Sequence, residues 1–274
     1  MPLSALALAL GAAFLHAFWN LLLARARDVE SATAVALVSA VIVFAPVTAL
    51  RWQLDDRVWP FLAVTSALQL LYFALLGTAY RRAELSFVYP LARGLAPVIV
   101  LLAGVVVLDE TASAAQAAGV VLVGVGVLLV RGLRGGPRLG DALLAVAVAC
   151  SIASYTLVDK HGIQYADPVV YLELSMAPAA ALYAATVVLV KGTPRVRAEV
   201  GAASIAAGLA SFAAYVLVLA ALERASAASV AAVRETSVVI ATVFASRVLS
   251  ERVGPARIAG AVLVVAGVAL LGLE

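Results

Sequence analysis

The stretch RGLAPVIVLLAGVVVLDETASAAQAAGVVLVGVGVLL, residues 93–129, returns as RETSVVIATVFASRVLSERVGPARIAGAVLVVAGVAL, residues 234–270, at a constant offset of 141. Aligned without a gap, 15 of 37 positions are identical, including Arg93/Arg234, Glu110/Glu251, Gly119/Gly260 and Gly126/Gly267. Composition alone accounts for roughly four or five matches in so Ala-, Val- and Leu-rich a chain, so the register marks an internal repeat. Each copy holds an arginine inside an apolar run, then an acidic turn and a second apolar run.

The rest of the chain has the same texture. Hydrophobic residues make up 65% of 274, charged residues only 13%, and the mean hydropathy is +1.08. That composition belongs to a polytopic membrane protein. A bilayer core about 30 Å thick takes about 20 apolar helical residues per crossing. Breaks at charges, Pro and Gly divide the chain into ten runs of that length: 3–23, 31–50, 58–80, 85–107, 114–131, 140–160, 168–190, 200–221, 226–248 and 255–273. They do not alternate polar with apolar residues, as barrel strands would. The expected fold is an all-α integral membrane protein with ten transmembrane helices arranged as two inverted five-helix repeats. Inversion follows from the odd number of spans per copy. The repeats occupy 1–133 and 141–274, joined by a linker at 134–140 within the basic stretch RGLRGGPRLG. The run Leu3–Leu23 has no basic n-region and exceeds a signal-peptide core, so it reads as a retained first helix.

Several function classes lack the residues they need. The sequence has no P-loop, HExxH, GxSxG or CxxC pair, and its two histidines are His16 and His161. A lone cysteine, Cys150, permits no internal disulfide and reads as a small core residue. No catalytic set, metal site or cofactor is expected. A net charge of +3 with arginines scattered through loops gives no footprint for nucleic acid. Without a nucleotide motif, gradient-driven transport remains.

The arginines of the repeat are the leading site candidates. Arg93 and Arg234 each lie eight residues into their span, about 12 Å deep at 1.5 Å per residue. An arginine at that depth costs at least about 2.5–3.5 kcal/mol and must face protein, a water-filled cavity or a carboxylate. Pro90 and Pro97 on the same run favour a bent helix beside it. Two readings stand. The arginines hold an anionic substrate group in a central cavity, or they are buried ion pairs with Glu235 or Glu173 as partners. Glu235 follows Arg234 directly, and adjacent helical residues point about 100° apart, so those two are badly placed for each other.

His16, Trp19 and Asn20 cluster in LHAFWN, and Tyr72, Tyr89, Tyr155 and Tyr215 fall inside four other spans. Each can line a site or fill core. Glu173, Glu235 and His16 are the proton-coupling candidates, because desolvation raises a carboxyl group's affinity for protons. Asp159, Lys160 and His161 end a span, where charges ordinarily meet the interface. Glu110 and Glu251 suit the start of the following helix, and the glycines of spans 5 and 10 suit close packing.

LHAFWN, together with the turns LDETAS (108–113) and LSERVGP (249–255) and the glycine-bearing helices after them, resembles the EamA family of the drug/metabolite transporter superfamily. The resemblance covers essentially the whole chain. It implies two inverted five-helix repeats around a cavity lined largely by spans 1, 3, 4, 6, 8 and 9. It also implies export or exchange of small metabolites or drugs by alternating access. Substrates within the family range from amino acids to phosphorylated or nucleotide-linked sugars, and no substrate-diagnostic motif is matched here. The expected partners are a small-molecule substrate, the bilayer and a proton or counter-substrate, with the chain as monomer or homodimer.

From these residues we expect a secondary transporter of a small polar, anionic or zwitterionic metabolite in the bacterial inner (cytoplasmic) membrane. A multidrug exporter of cationic or apolar compounds and a flippase-like or structural membrane partner are the alternatives. The family topology implies both termini in the cytoplasm. The charges indicate the reverse: odd-numbered connections hold 13 Lys and Arg, and even-numbered ones hold four, Arg51, Arg57, Lys160 and Arg224. By the positive-inside rule both termini lie outside. A reporter that works only in the cytoplasm, fused after Glu274, is therefore expected to be silent; an active fusion would reverse the topology.

Overall fold

The computed structural model describes residues 1–82, 85–107, 111–131, 139–240, 243 and 254–272. They include eleven α-helices: α1 (Leu3–Leu23), α2 (Val29–Leu50), α3 (Trp59–Arg82), α4 (Leu85–Val107), α5 (Ala114–Arg131), α6 (Leu139–Gly162), α7 (Pro168–Lys191), α8 (Thr193–Ala198), α9 (Ala202–Leu222), α10 (Ala227–Arg234) and α11 (Pro255–Gly272). No strand occurs among the described residues; one isolated antiparallel bridge joins Leu54 to Ala166. Six segments are long and apolar enough to cross a bilayer: Leu3–Leu23, Val29–Leu50, Asp56–Leu76, Leu139–Tyr165, Pro168–Lys191 and Ala202–Leu222. Shorter apolar segments are Leu91–Val107, Ala114–Leu129 and Ile258–Leu271. The chain is a multi-pass membrane protein.

Two differences from the expected spans have local causes. The run 226–248 is not one continuous helix. Ser226 caps α10 by accepting from the Ser229 N–H, and α10 stops at Arg234. There the Glu235 N–H donates to Ala232 O and the Val238 N–H to Glu235 O, both at 3.0 Å, before helix resumes at 236–240. These tighter three-residue bonds break the ladder beside the buried arginine. After α7, Gly192 takes φ +85, a conformation open to glycine, and the chain turns into the short α8. Cys150, read above as core, lies exposed on the outer face of α6. Glu110 and Glu251 lie outside the described residues.

Small residues set the central crossing. A Cβ on Gly119 would meet Gly267 O at 3.0 Å, and one on Gly126 would meet Gly260 O at 2.7 Å. Gly119 is the repeat equivalent of Gly260, and Gly126 of Gly267, so α5 and α11 make the same contact in both directions. Such reciprocity is the mark of a twofold relation. Only residues without side chains let the two backbones approach so closely.

A second reciprocal feature ties α2 to α7. Asp28 caps α2 by accepting from the Ser31 N–H, and Asp167 caps α7 by accepting from the Val169 N–H. At one end of the antiparallel pair, Lys191 Nζ reaches Asp28 at 2.7 Å and Glu30 at 2.5 Å. At the other, Arg51 Nε reaches Asp167 at 3.2 Å. Partial burial works against ionisation of Asp28, yet the Lys191 ammonium and the Ser31 N–H hold its carboxyl below the usual carboxylate range.

Close packing makes a direct prediction. A Cβ on Gly208 of α9 would overlap the carbonyl of Ala36 in α2, whereas one on Gly140 would have nothing within 4 Å. Gly208→Ala is expected to lower stability by about 1–3 kcal/mol, the usual effect of overpacking, and Gly140→Ala to leave it unchanged or slightly raised. Thermal unfolding of the two detergent-purified variants compares them.

Candidate functional site

Helices α1, α2, α3, α4, α6, α7, α9 and α10 enclose a cavity of about 740 Å³. Its rim carries Arg27, Asp28, Glu30 and Lys191, where α2 begins and α7 ends, and Arg27 and Val29 there are exposed. Its inner end carries Arg93 and Arg234, near the middle of the bundle. Between them the wall is aromatic. Tyr72 and Tyr155 lie edge to face at 6.2 Å, Tyr155 and Tyr215 likewise at 6.2 Å, and His16 and Trp19 at 4.9 Å. Aromatic rings give the wall apolar area with polar tips.

Arg93 projects from α4 and is buried to 5% exposure. Its Nε lies 3.1 Å from Glu235 Oε2, within ion-pair distance though without hydrogen-bond alignment, and its Nη2 lies 3.3 Å from His16 Nε2. The carboxylate thus comes from the second repeat and neutralises the arginine of the first. Glu235 succeeds because the helix breaks at that point, so its side chain turns to α4 rather than along α10.

Arg234 has a different environment. It ends α10 at 4% exposure, close enough to Tyr155 to interact with its hydroxyl. Among the described residues its Nε and Nη2 have no hydrogen-bond partner. The repeat register explains this. The position after Arg93, equivalent to Glu235, is Gly94, packed against Gly124 O and Leu128. Glu235 therefore serves Arg93, and among the described residues no carboxylate lies within ion-pair distance of Arg234, which lines the cavity.

His16, Trp19, Asn20, Tyr72, Tyr155 and Tyr215 all line the same cavity as the arginines. Asn20 donates from Nδ2 to His16 O at 2.7 Å, closing its own helical turn. Glu235 is buried behind Arg93 rather than on the wall. Glu173 is buried at 6% exposure with Oε2 unpartnered, and does not line the cavity. The side chain of Tyr89 lies outside the described residues. Helices α2 and α7 line the outer half, beyond the spans that the resemblance implied.

Gln69 was missed by sequence reading. It is buried in the cavity wall with Oε1 unpartnered. Its signal was an amide inside an apolar run, three residues before Tyr72 and so on the same helical face.

The cavity is closed on the side opposite its rim. There Gln116 Nε2 donates to Ser226 Oγ at 2.5 Å and Ser229 Oγ at 3.0 Å. Phe61 stacks on Tyr165, and the Asp55 N–H donates to Tyr165 O at 2.8 Å. Asp159, expected at the interface, is fully buried here and accepts from Thr65, Tyr171 and Tyr215. Lys160 Nζ donates to Leu222 O, and His161 Nδ1 meets Leu157 O. The end of α6 is covered by α3, α7 and α9, and this cover keeps its acid from water.

Comparison with known proteins agrees with this architecture. A search of curated proteins found no match. A solved crystal structure is similar over 98% of this chain and 98% of its own, with a TM-score of 0.79 at 18% identity, a likeness of fold alone. The model of the EamA-like transporter family matches twice, at residues 3–132 and 140–273. With both repeats matched, nearly end to end, this membrane chain belongs to the EamA-like transporter family.

Proposed function

We propose that the chain is a secondary-active transporter, an exporter or exchanger, that moves a small anionic or zwitterionic metabolite by alternating access around the central cavity. The observation that supports this is Arg234. Arg93 is neutralised by Glu235, while Arg234 lines the cavity and its buried Nε and Nη2 have no hydrogen-bond partner among the described residues. Among the described residues Glu235 is the carboxylate within ion-pair distance of Arg93, and none lies within that distance of Arg234. A guanidinium presents parallel N–H donors that fit a carboxylate or phosphate. Trp19, Tyr72 and Tyr155 suit the apolar part of such a solute, and Gln69 supplies an amide.

The charge asymmetry of the connections supports placement in a bacterial inner membrane with both termini outside. The rim then faces the cytoplasm and the closed side faces outward. The ten crossings, with repeats at 1–133 and 141–274 and a linker at 134–140, belong to the same proposal, as does a chain that works as a monomer or homodimer.

A thermal-shift screen of the purified protein against amino acids, organic acids, sugar phosphates and drug cations tests the substrate class. At about 100 times Kd a ligand that binds the folded state adds about 2.7 kcal/mol. Anions are expected to stabilise the parent and to lose that effect in Arg234→Ala. Stabilisation by cations and not by anions would favour drug export instead and overturn this reading.

The neutralised arginine predicts a separate stability effect. Glu235→Ala strands a buried cation and is expected to cost about 3–5 kcal/mol. Arg93→Met combined with Glu235→Leu removes both charges and is expected to recover most of the loss, as measured by thermal unfolding without ligand.

A further inference from the structure

The cavity wall holds a second buried polar group with unmade hydrogen bonds, on a different helix from Arg234. On α3 the residues that line the cavity are Gln69, Tyr72, Phe73 and Leu76, spaced as one helical face. This helix runs from the closed side, where Phe61 stacks on Tyr165, toward the rim, so Gln69 is the innermost of the four. Gln69 is 4% exposed, and its Oε1 has no hydrogen-bond partner among the described residues. Arg234, in the wall of the same cavity, is buried to the same degree and is likewise short of partners at Nε and Nη2.

The side chains around Gln69 are already engaged elsewhere. Thr65 Oγ1, one turn inward, donates to Asp159 Oδ1 at 2.7 Å, and Ser66 Oγ donates to Ser175 O at 2.9 Å. From α6, Ser151 Oγ donates to Leu68 O at 3.1 Å, and the Tyr155 hydroxyl interacts with Arg234. The Tyr215 hydroxyl donates to Asp159. These bonds pin α3 to α6 and α7 on both sides of the amide, so its place in the wall is fixed. A buried amide without a partner lowers stability, and leucine would fill the space without that cost. With its neighbours engaged, Gln69 gains a partner from whatever enters the cavity.

An amide offers both an acceptor and a donor, which matches a hydroxyl, itself both. An ammonium is matched poorly, because the carboxylates that line the cavity among the described residues, Asp28 and Glu30, stand at the rim. We propose that Gln69 is a specificity-determining residue of the transport site, hydrogen-bonding a hydroxyl of the same solute whose anionic group Arg234 holds. The preferred substrates are then hydroxylated organic anions over their deoxy counterparts. A site built to bond a substrate hydroxyl rejects the analogue that lacks it, because its own buried polar group is left unpaired. This inference rests on Arg234 as the residue that holds the anion.

The test measures Kd by isothermal titration on the purified full-length protein, with pairs of anions that differ by one hydroxyl: malate with succinate, 4-hydroxybutyrate with butyrate, and 3-hydroxypropyl phosphate with propyl phosphate. In at least one pair the parent is expected to bind the hydroxylated member at least about tenfold more tightly, the scale set by a buried polar group losing its partner. Gln69→Leu is expected to weaken that member and bring the pair to within about threefold, while melting no lower than the parent without ligand. Equal binding within every pair in the parent, still lost in Arg234→Ala, overturns this proposal alone; no binding of any anion overturns the reading it rests on as well. A preference that persists in Gln69→Leu overturns it, as does a variant that melts lower and weakens both members of a pair equally. Should Gln69→Leu not fold, Gln69→Met, unbranched like glutamine, takes its place with the same expected outcome, and a persistent preference there overturns the proposal.

Discussion

Two guanidinium groups near the middle of an apolar bundle constrain everything around them. Neither can be left in hydrocarbon, so helices must enclose them and supply water or counter-charge. Arg93 receives its counter-charge from Glu235, across the boundary between repeats. Arg234 receives none in the same register because Gly94 stands where the acid would be. The repeat thus places two cations at equivalent positions, and the difference between Gly94 and Glu235 makes them unequal.

The helices around that site are held by two kinds of contact. Reciprocal glycine contacts bring α5 and α11 together at a distance that no larger residue permits. Reciprocal caps and ion pairs bind α2 to α7 at both ends. By contrast, the closed side is joined by hydroxyls and amides: Gln116 with Ser226 and Ser229, and Asp159 with Thr65, Tyr171 and Tyr215. Such bonds exchange readily for water, since a hydrogen bond contributes only about 0.5–1.5 kcal/mol net. Packing of small residues has no such substitute.

Much of this was legible in the chain because it follows from local rules. The apolar helices, the 141-residue register and the glycine pattern depend only on composition and spacing within single segments, and among the described residues six segments are long and apolar enough to cross a bilayer, with three shorter ones beside the ten expected. The tyrosines and LHAFWN stood out as polar or aromatic breaks in apolar runs, and the structure groups His16, Trp19, Asn20, Tyr72, Tyr155 and Tyr215 on one wall. Gln69 carried the same signal and was passed over. Asp159 was misread because its position at a span end suggests the interface, and nothing local reveals that α3, α7 and α9 cover it.

The sequence by itself determined a duplicated, helical membrane chain with an arginine at equivalent places in each copy, since hydropathy and periodicity are properties of single segments. Only the tertiary structure decided that Glu235 serves Arg93 and not its neighbour Arg234, and that Asp159 faces three hydroxyls instead of water. Those outcomes depend on where a helix breaks and which helices lie across from it. Both are set by packing between segments far apart in the chain, which no single segment encodes.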